Sequence, residues 1–142
     1  MSAPEDLKAV LERIPYARFL GVRTELAGDE MTAVLPFSEH LIGNPTLPAI
    51  HGGVLGAFME MTALAQLSIA EREKAGEHRR QPKPIGITVE YLRSGRPVTT
   101  YARATVRKLG RRVASVHVEA WQDVRASPVA TLTGRFLVSP EG

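Results

Sequence analysis

The sequence contains no cysteine. This absence excludes a disulfide scaffold, a thiolate-ligated zinc or iron–sulfur site and a thiol nucleophile, and it fits the reducing cytoplasm, where we expect the protein. Aromatic residues make up only 6% of the chain, too few for the interleaved basic and aromatic strip that binds single-stranded nucleic acid. His, Asp and Glu do not recur at metal-ligand spacing, so we expect no metal site.

In other respects the amino-acid composition is typical of a globular protein. Hydrophobic residues make up 44% and charged residues 23%, with 12 Gly and 10 Pro in 142 residues, which is outside the disordered range. This length is enough for one core, so residues 1–142 are predicted to form a single domain. The first residues are acidic where a signal peptide is basic and then apolar, so we expect no targeting segment.

The net charge of +3 is unevenly distributed along the chain. Residues 1–90 hold nine Lys/Arg against twelve Asp/Glu, whereas residues 91–142 hold nine against three. A basic last third could attract a phosphate, a nucleotide, coenzyme A or nucleic acid. Solvated arginines on exposed strand faces explain the same excess equally well.

Periodicity predicts helices and strands in a simple order. Residues 4–13 form a short amphipathic helix that ends near Pro15, and residues 21–35 form a hairpin with a turn at Gly28 to Glu30. The segment 36–50 is rich in proline and glycine and is predicted to be a loop, as is the charged segment 71–84. Four further strands, joined by short turns and therefore antiparallel, are predicted at 85–92, 99–109, 112–121 and 129–138.

Residues 50–70 form an apolar run whose only formal charge is Glu60. The length matches a membrane span, but a central carboxylate and three glycines argue against contact with lipid. A helix that is apolar all round belongs in a protein interior. We therefore predict an α+β fold: a long central helix wrapped by a curved antiparallel sheet of about five or six strands, with a short N-terminal helix. Exposed edges of such a sheet favour a dimer.

The start of this central helix reads His51-Gly52-Gly53. Two glycines leave backbone N–H groups open at a helix N-terminus, where the aligned dipoles favour negative charge. This arrangement predicts an oxyanion hole. Glu60 lies on the same helical face as Gly53 and Gly56, whose lack of side chains leaves a groove for a ligand.

A carboxylate in an apolar run costs several kcal/mol unless it is paired, hydrated or neutral. The structural alternative is an ion pair with an arginine of a neighbouring strand, such as Arg103 or Arg107. Taken alone, Glu60 fits that alternative and a catalytic role equally well. The fixed relation between Glu60 and the Gly-Gly helix start favours catalysis.

The motif His51-Gly-Gly, followed by an acid nine residues after the histidine, resembles the hotdog-fold acyl-CoA thioesterases, particularly the PaaI-like (phenylacetyl-CoA thioesterase type) branch. The resemblance continues through residues 87–93, 102–112 and 129–136. It implies hydrolysis of an acyl-CoA thioester, in which Glu60 activates water or attacks the carbonyl and the Gly53 N–H polarises it. His51 is implied to shape the helix start or to assist there.

The same resemblance implies the remaining site residues. Relatives carry an Asn six residues before the His, where this chain has Pro45, so Asn44 would have to reach Glu60. Relatives also carry Ser or Thr two residues after the strand tyrosine, where this chain has Arg93 followed by Ser94. The turn Gly110-Arg111-Arg112 corresponds to the place where relatives contact the coenzyme A phosphates. The predicted substrate-binding residues are therefore Gly52, Arg93, Ser94, Lys108, Gly110, Arg111 and Arg112.

Among partners, the resemblance implies an acyl-CoA substrate and a homodimer or dimer of dimers (homotetramer), with the site across the dimer interface and Glu60 facing the partner chain. Coenzyme A is expected only as part of the substrate, with no separate cofactor, and neither nucleic acid nor membrane is an expected partner. The acyl group stays open between aromatic and medium-chain, with Phe58, Met59, Met61, Leu64 and Leu67 as candidate pocket residues.

Two other functions remain as alternatives. A non-catalytic acyl-CoA-binding hotdog protein would use Glu60 as a structural partner. A hotdog enoyl-thioester hydratase or dehydratase ranks third, because its Glu usually follows the helix-start glycine by about five residues and Glu60 follows Gly53 by seven. Two residues rotate a helical position by about 200°, which would turn the carboxylate away.

Overall fold

The computed structural model of the chain describes residues 3–27, 30–75 and 81–138. Gly28 and Asp29 of the predicted turn lie outside these ranges. The helices are α1 (Ala3–Glu12), α2 (Pro15–Leu20) and α3 (Gly52–Ala75), with a 3-10 turn at Glu39–Leu41. The strands are β1 (Arg23–Ala27), β2 (Glu30–Leu35), β3 (Ile42–Asn44), β4 (Ala49–Ile50), β5 (Lys83–Tyr91), β6 (Thr100–Leu109), β7 (Val113–Trp121) and β8 (Ala130–Leu137).

Six of these strands form one antiparallel sheet in the order β1-β2-β6-β7-β8-β5. Helix α3 packs on the inner face of this sheet, chiefly against β6, β7 and β8. The observed architecture is the predicted α+β arrangement, with six strands in the main sheet. Because β5 and β1 are the outermost strands, each leaves one side without a partner strand in the described part of the chain.

Alternating burial in β7 and β8 fixes which face of the sheet meets the helix. In β7 the buried positions are Ala114, Val116, Val118 and Ala120, as their spacing predicts. In β8, Ala130, Leu132, Gly134 and Phe136 are buried in register with them. The residues between these positions lie on the outer face. The helix fills the inner face with fully buried side chains such as Phe58 and Met59.

The structure differs from the sequence predictions at the element ends. Pro15 begins a second helix, because proline suits the first helical position, and Gly21 ends it at φ +83°. The segment 36–50, predicted as a loop, contains the 3-10 turn and the small β3–β4 sheet. Helix α3 runs on to Ala75, because residues 71–75 are good helix formers, and β5 begins at Lys83 within the predicted loop.

The segment Gly52–Arg72 is long and apolar enough to cross a membrane by length and composition, with a mean hydropathy of 1.4. A core helix of a globular domain satisfies the same criteria. Here 56% of the segment's most apolar stretch is buried, and the helix packs against the sheet.

Candidate active site

The start of α3 is held by backbone hydrogen bonds from two sides. The N–H of His51 donates to the Leu41 carbonyl at 2.8 Å, and the N–H of Ile50 donates to the Gly95 carbonyl at 2.9 Å. The proline-rich segment before the helix and the loop after β5 therefore meet at this point. That meeting gives the predicted motif His51-Gly52-Gly53 a fixed backbone position.

The His51 side chain caps the helix on which it sits. The N–H of Gly53 donates to His51 Nδ1 at 2.8 Å, which satisfies one of the free amides of the first turn. The ring fits between two glycines: a Cβ on Gly43 would lie 2.8 Å from His51 Cδ2, and a Cβ on Gly53 would lie 2.9 Å from Nδ1. The Gly53 N–H, the predicted oxyanion donor, thus has an intramolecular acceptor in the free chain.

Tyr91 is a residue of this region to which sequence reasoning assigned no role. Its hydroxyl donates to the Gly52 carbonyl oxygen at 2.9 Å. The ring covers the helix where the predicted groove begins: a Cβ on Gly52 would lie 3.3 Å from ring carbons, and one on Gly56 would lie 3.7 Å from the hydroxyl. Only one indication of such a contact was present in the sequence, a tyrosine at the end of a predicted strand. Its partner depends on how β5 lies against α3, which no local pattern shows.

Glu60 is half-buried in the middle of α3. Its carboxylate forms no hydrogen bond or ion pair with any residue of the described ranges. The structural alternative of an ion pair with Arg103 or Arg107 is therefore absent from these ranges; Arg103 instead donates to Thr32 Oγ1 at 2.7 Å. A carboxylate in an apolar helix without a protein partner is free to bind a ligand, a water molecule or a second chain.

Helical geometry relates Glu60 to Gly53. Seven residues correspond to nearly two full turns, so the two residues lie on the same side of α3, with about 10 Å between them along the axis. Reacting atoms lie about 3 Å from a catalytic group. For one carbonyl group to meet both, the Glu60 side chain must reach back towards the helix start, or a second chain must supply one of the two groups.

Asn44 is turned towards its own loop. Its Oδ1 accepts hydrogen bonds from the Thr46 N–H at 3.0 Å and from Thr46 Oγ1 at 2.8 Å. Within the described ranges no hydrogen bond joins Asn44 to Glu60, so the structure does not bring these two predicted site residues together.

Arg93 and Ser94 are exposed residues in the loop that follows β5. The Arg93 N–H donates to the Val129 carbonyl at 3.2 Å. The carbonyl of Gly95, which follows Ser94, accepts from the Ile50 N–H. The structure thus brings this loop beside the helix start, and the substrate-binding role of Arg93 and Ser94 stays a prediction.

The predicted phosphate-binding turn lies at the opposite end of the sheet. Val113, directly after the turn, pairs with Leu137 of β8, and Leu137 pairs with Lys83 at the beginning of β5. Tyr91, which contacts the helix start, is at the other end of β5. Eight strand residues correspond to about 26 Å. The turn residues Gly110, Arg111 and Arg112, with Lys108 before them, are therefore far from the helix start of the same chain.

The β6–β7 turn has a defined shape. The Gly110 N–H donates to the Val113 carbonyl at 3.1 Å, and a Cβ on Gly110 would lie only 2.7 Å from that oxygen. Glycine is therefore required there, and the Arg111 and Arg112 side chains are exposed.

His117 lies on the outer face of the sheet, where its Nδ1 is 3.2 Å from Thr133 Oγ1. Burial lowers the pKa of its imidazole from the ordinary 6.5, and the nearby Arg107 lowers it further, against the opposing effect of Glu119 and Glu90. This face is separated from the helix start by the sheet, so His117 is not part of the candidate site. Within the described ranges no three His, Asp or Glu side chains converge as a metal site would require.

Most of the candidate acyl-pocket residues belong to the core. Phe58, Met59 and Leu67 are fully buried, and Met61 is nearly so. They pack among the side chains of the core, and their part in an acyl pocket stays a prediction. Leu64 is half-buried and remains a candidate.

Comparisons with known proteins agree with this fold. The acyl-CoA thioesterase N-terminal domain family matches residues 43–137. A solved structure of a Chromobacterium violaceum protein is 34% identical, covers 95% of this chain and 90% of its own, and superposes with a TM-score of 0.72. No curated protein matches the sequence.

Two more distant structures share the fold alone. A phenylacetic acid degradation-related protein from Ralstonia eutropha JMP134 is 21% identical, covering 94% of this chain and 99% of that one, with a TM-score of 0.74. A Bacillus halodurans protein solved with CoA is 19% identical, covering 96% and 87%, with the same TM-score of 0.74. The match over residues 43–137 and the hotdog architecture confirm the predicted resemblance: the chain belongs to the acyl-CoA thioesterase family.

Proposed function

We propose that the protein hydrolyses an acyl-CoA thioester to the free acid and coenzyme A. Glu60 serves as general base or nucleophile, and the Gly53 backbone N–H donates to the oxyanion. The observation that carries the proposal is the Glu60 carboxylate: half-buried in an apolar helix, without a partner in the described ranges, and on the same helical side as Gly53. Family membership supplies the substrate class.

As a base, Glu60 takes a proton from water while the water oxygen attacks the thioester carbon. The carbonyl oxygen becomes an oxyanion that accepts from the Gly53 N–H. The C–S bond then breaks, and the coenzyme A thiolate takes the proton back from Glu60. As a nucleophile, Glu60 would attack the carbon itself, so that the C–S bond breaks, the coenzyme A thiolate leaves and a mixed anhydride forms. Water then hydrolyses the anhydride to the free acid and the Glu60 carboxylate, and the thiolate takes the remaining water proton.

In this mechanism the oxyanion replaces His51 Nδ1 as the acceptor of the Gly53 N–H. The exposed His51 ring can rotate into solvent when it is displaced. The hydrogen bond in the free chain thus keeps the amide satisfied until substrate arrives. His51 shapes the helix start in this proposal, and Asn44 has no assigned step.

A dimer through the free edge of β5 would unite the separated parts of the site. If two β5 strands pair antiparallel, the beginning of one lies beside the end of the other. The partner's Arg111 and Arg112 would then approach the helix start of this chain, where Gly52, Arg93 and Ser94 would contact the remainder of the substrate. We propose this homodimer, alone or paired into a tetramer, as the active cytoplasmic form, with coenzyme A entering only as part of the substrate.

Hydrolysis of a panel of aromatic and aliphatic acyl-CoAs, followed with a free-thiol reagent, tests the proposal. Glu60→Gln should lower kcat at least about 100-fold on the best substrate, because it removes the base or nucleophile. Glu25→Gln is the control, since Glu25 is an exposed carboxylate on the outermost strand β1. Unchanged turnover in Glu60→Gln, with the fold intact by circular dichroism, contradicts the assignment.

One observation favours the second candidate, a non-catalytic acyl-CoA-binding protein. The Gly53 N–H already donates to His51 Nδ1 at 2.8 Å, so the proposed oxyanion donor is not open in the free chain. Calorimetric binding of an acyl-CoA without thiol release, in wild-type protein, would support this alternative.

A further inference from the structure

We propose that Tyr91 is a positioning residue for the hydrolysis, acting through the peptide group that links Gly52 to Gly53. The inference rests on the proposed function, because it concerns the same oxyanion donor. Its basis is the hydrogen bond from the Tyr91 hydroxyl to the Gly52 carbonyl oxygen at 2.9 Å.

The Gly52 carbonyl and the Gly53 N–H belong to one planar peptide unit. Fixing the direction of the carbonyl therefore fixes the direction of the amide at the other side of the same plane. Glycine on both sides gives this unit more backbone freedom than any other pair of residues would. The hydrogen bond from Tyr91, outside the helix, adds to the restraint that the first turn of α3 gives this unit.

The same contact also affects the strength of the donor. A hydrogen bond accepted by a carbonyl polarises its peptide and strengthens the bond that its N–H donates, so bonds in a chain reinforce each other. Here the chain runs from the Tyr91 hydroxyl to the Gly52 carbonyl and from the Gly53 N–H to His51 Nδ1. When an oxyanion takes the place of His51, it receives the strengthened donor.

Tyr91 is itself well anchored for this task. It is the last residue of β5 and pairs with Ala130, and the next two backbone amides, of Leu92 and Arg93, both donate to the Val129 carbonyl. Its ring lies so close to the helix that a Cβ on Gly52 would be 3.3 Å from it. The hydroxyl thus reaches the first turn of α3 from a strand end whose backbone is hydrogen-bonded.

The test is the variant Tyr91→Phe, which keeps the ring and removes only the hydroxyl. We expect kcat for acyl-CoA hydrolysis to fall about three- to tenfold, the worth of one neutral hydrogen bond, while KM stays within about twofold, because the oxyanion forms only in the transition state. The backbone amide signal of Gly53 in the 1H–15N NMR spectrum should move. Tyr101→Phe is the matched control, since Tyr101 stacks on Trp121 at 6.0 Å on the outer face.

Two results would overturn the inference: an unchanged kcat in Tyr91→Phe, or a reduced kcat with an unmoved Gly53 amide signal. A role confined to fold stability would lower the melting temperature and leave kcat of the folded protein unchanged. Failure of the proposed function is recognised separately. Wild-type protein that releases no thiol removes the positioning role as well, whereas Glu60→Gln with full turnover contradicts the role of Glu60 alone.

Discussion

The imidazole of His51 acts as a cap on α3, and its removal should weaken the fold. The His51→Ala variant loses the acceptor of the Gly53 N–H, and we expect the free energy of unfolding to fall by about 1 kcal/mol, as for other N-cap deletions. Urea denaturation followed by circular dichroism measures this change. His51→Asn retains a side-chain acceptor at the cap and should recover most of the loss. Equal stabilities of the Ala and Asn variants would show that the hydrogen bond contributes nothing.

The contacts of single residues were the part of the site least accessible from sequence. The spacing of the residues indicated that His51 and Gly53 begin a helix and that Glu60 follows on the same face of it, because helical periodicity is local. The contact of Tyr91 with Gly52 and the position of the His51 ring between Gly43 and Gly53 join distant segments. Such contacts depend on how strands and loops pack on the helix, which local patterns do not determine.

At the level of elements, patterns with a strong period predicted the fold well. Alternation in β7 and β8 and the apolar run of α3 gave the buried faces correctly, because each reflects a core face. Helix α2 was missed because Pro15, which begins it, resembled an ending signal. The strands β3 and β4 were missed because prolines and glycines surround them and they are only three and two residues long.

The β6–β7 hairpin ends in a turn whose charges should govern affinity for coenzyme A. In Arg111→Ala/Arg112→Ala we expect KM for acyl-CoA to rise about tenfold at low ionic strength, because two cations that would face phosphates are lost. The kcat should stay unchanged, since the turn contacts no reacting atom. The difference from wild type should shrink as salt is added, because exposed charges are screened within about 10 Å at 0.1 M.

The control for this hairpin is Arg18→Ala, which removes an exposed cation from α2. Its KM should match the wild-type value at every salt concentration. A KM in the double variant that equals wild type at low salt would identify the turn arginines as solvated surface charges.

At the scale of the whole molecule, the helix start and the basic β6–β7 turn are separated by most of the length of the strands. The helix start lies at the Tyr91 end of β5, and the basic turn lies at the Lys83 end. The turn residues Arg111 and Arg112, which belong to the basic excess in 91–142, would then serve the partner's helix start and not their own. An antiparallel pairing of two β5 edges would place each basic turn beside the partner's helix start, so that two small chains together form a complete site.

Mixed dimers test this arrangement directly. If Glu60 of one chain works with the partner's Arg111 and Arg112, a dimer of one Glu60→Gln chain and one Arg111→Ala/Arg112→Ala chain has one intact site and one doubly defective site. Random assembly of equal amounts makes half of the dimers mixed, and one of the two sites in each mixed dimer is intact. About a quarter of all sites should therefore be active with the wild-type KM. Steady-state kinetics on co-refolded chains measures both constants, with each variant alone refolded as the control. If both sets of residues act within one chain, mixing yields only the high-KM activity of the arginine variant, and the proposed shared site is wrong.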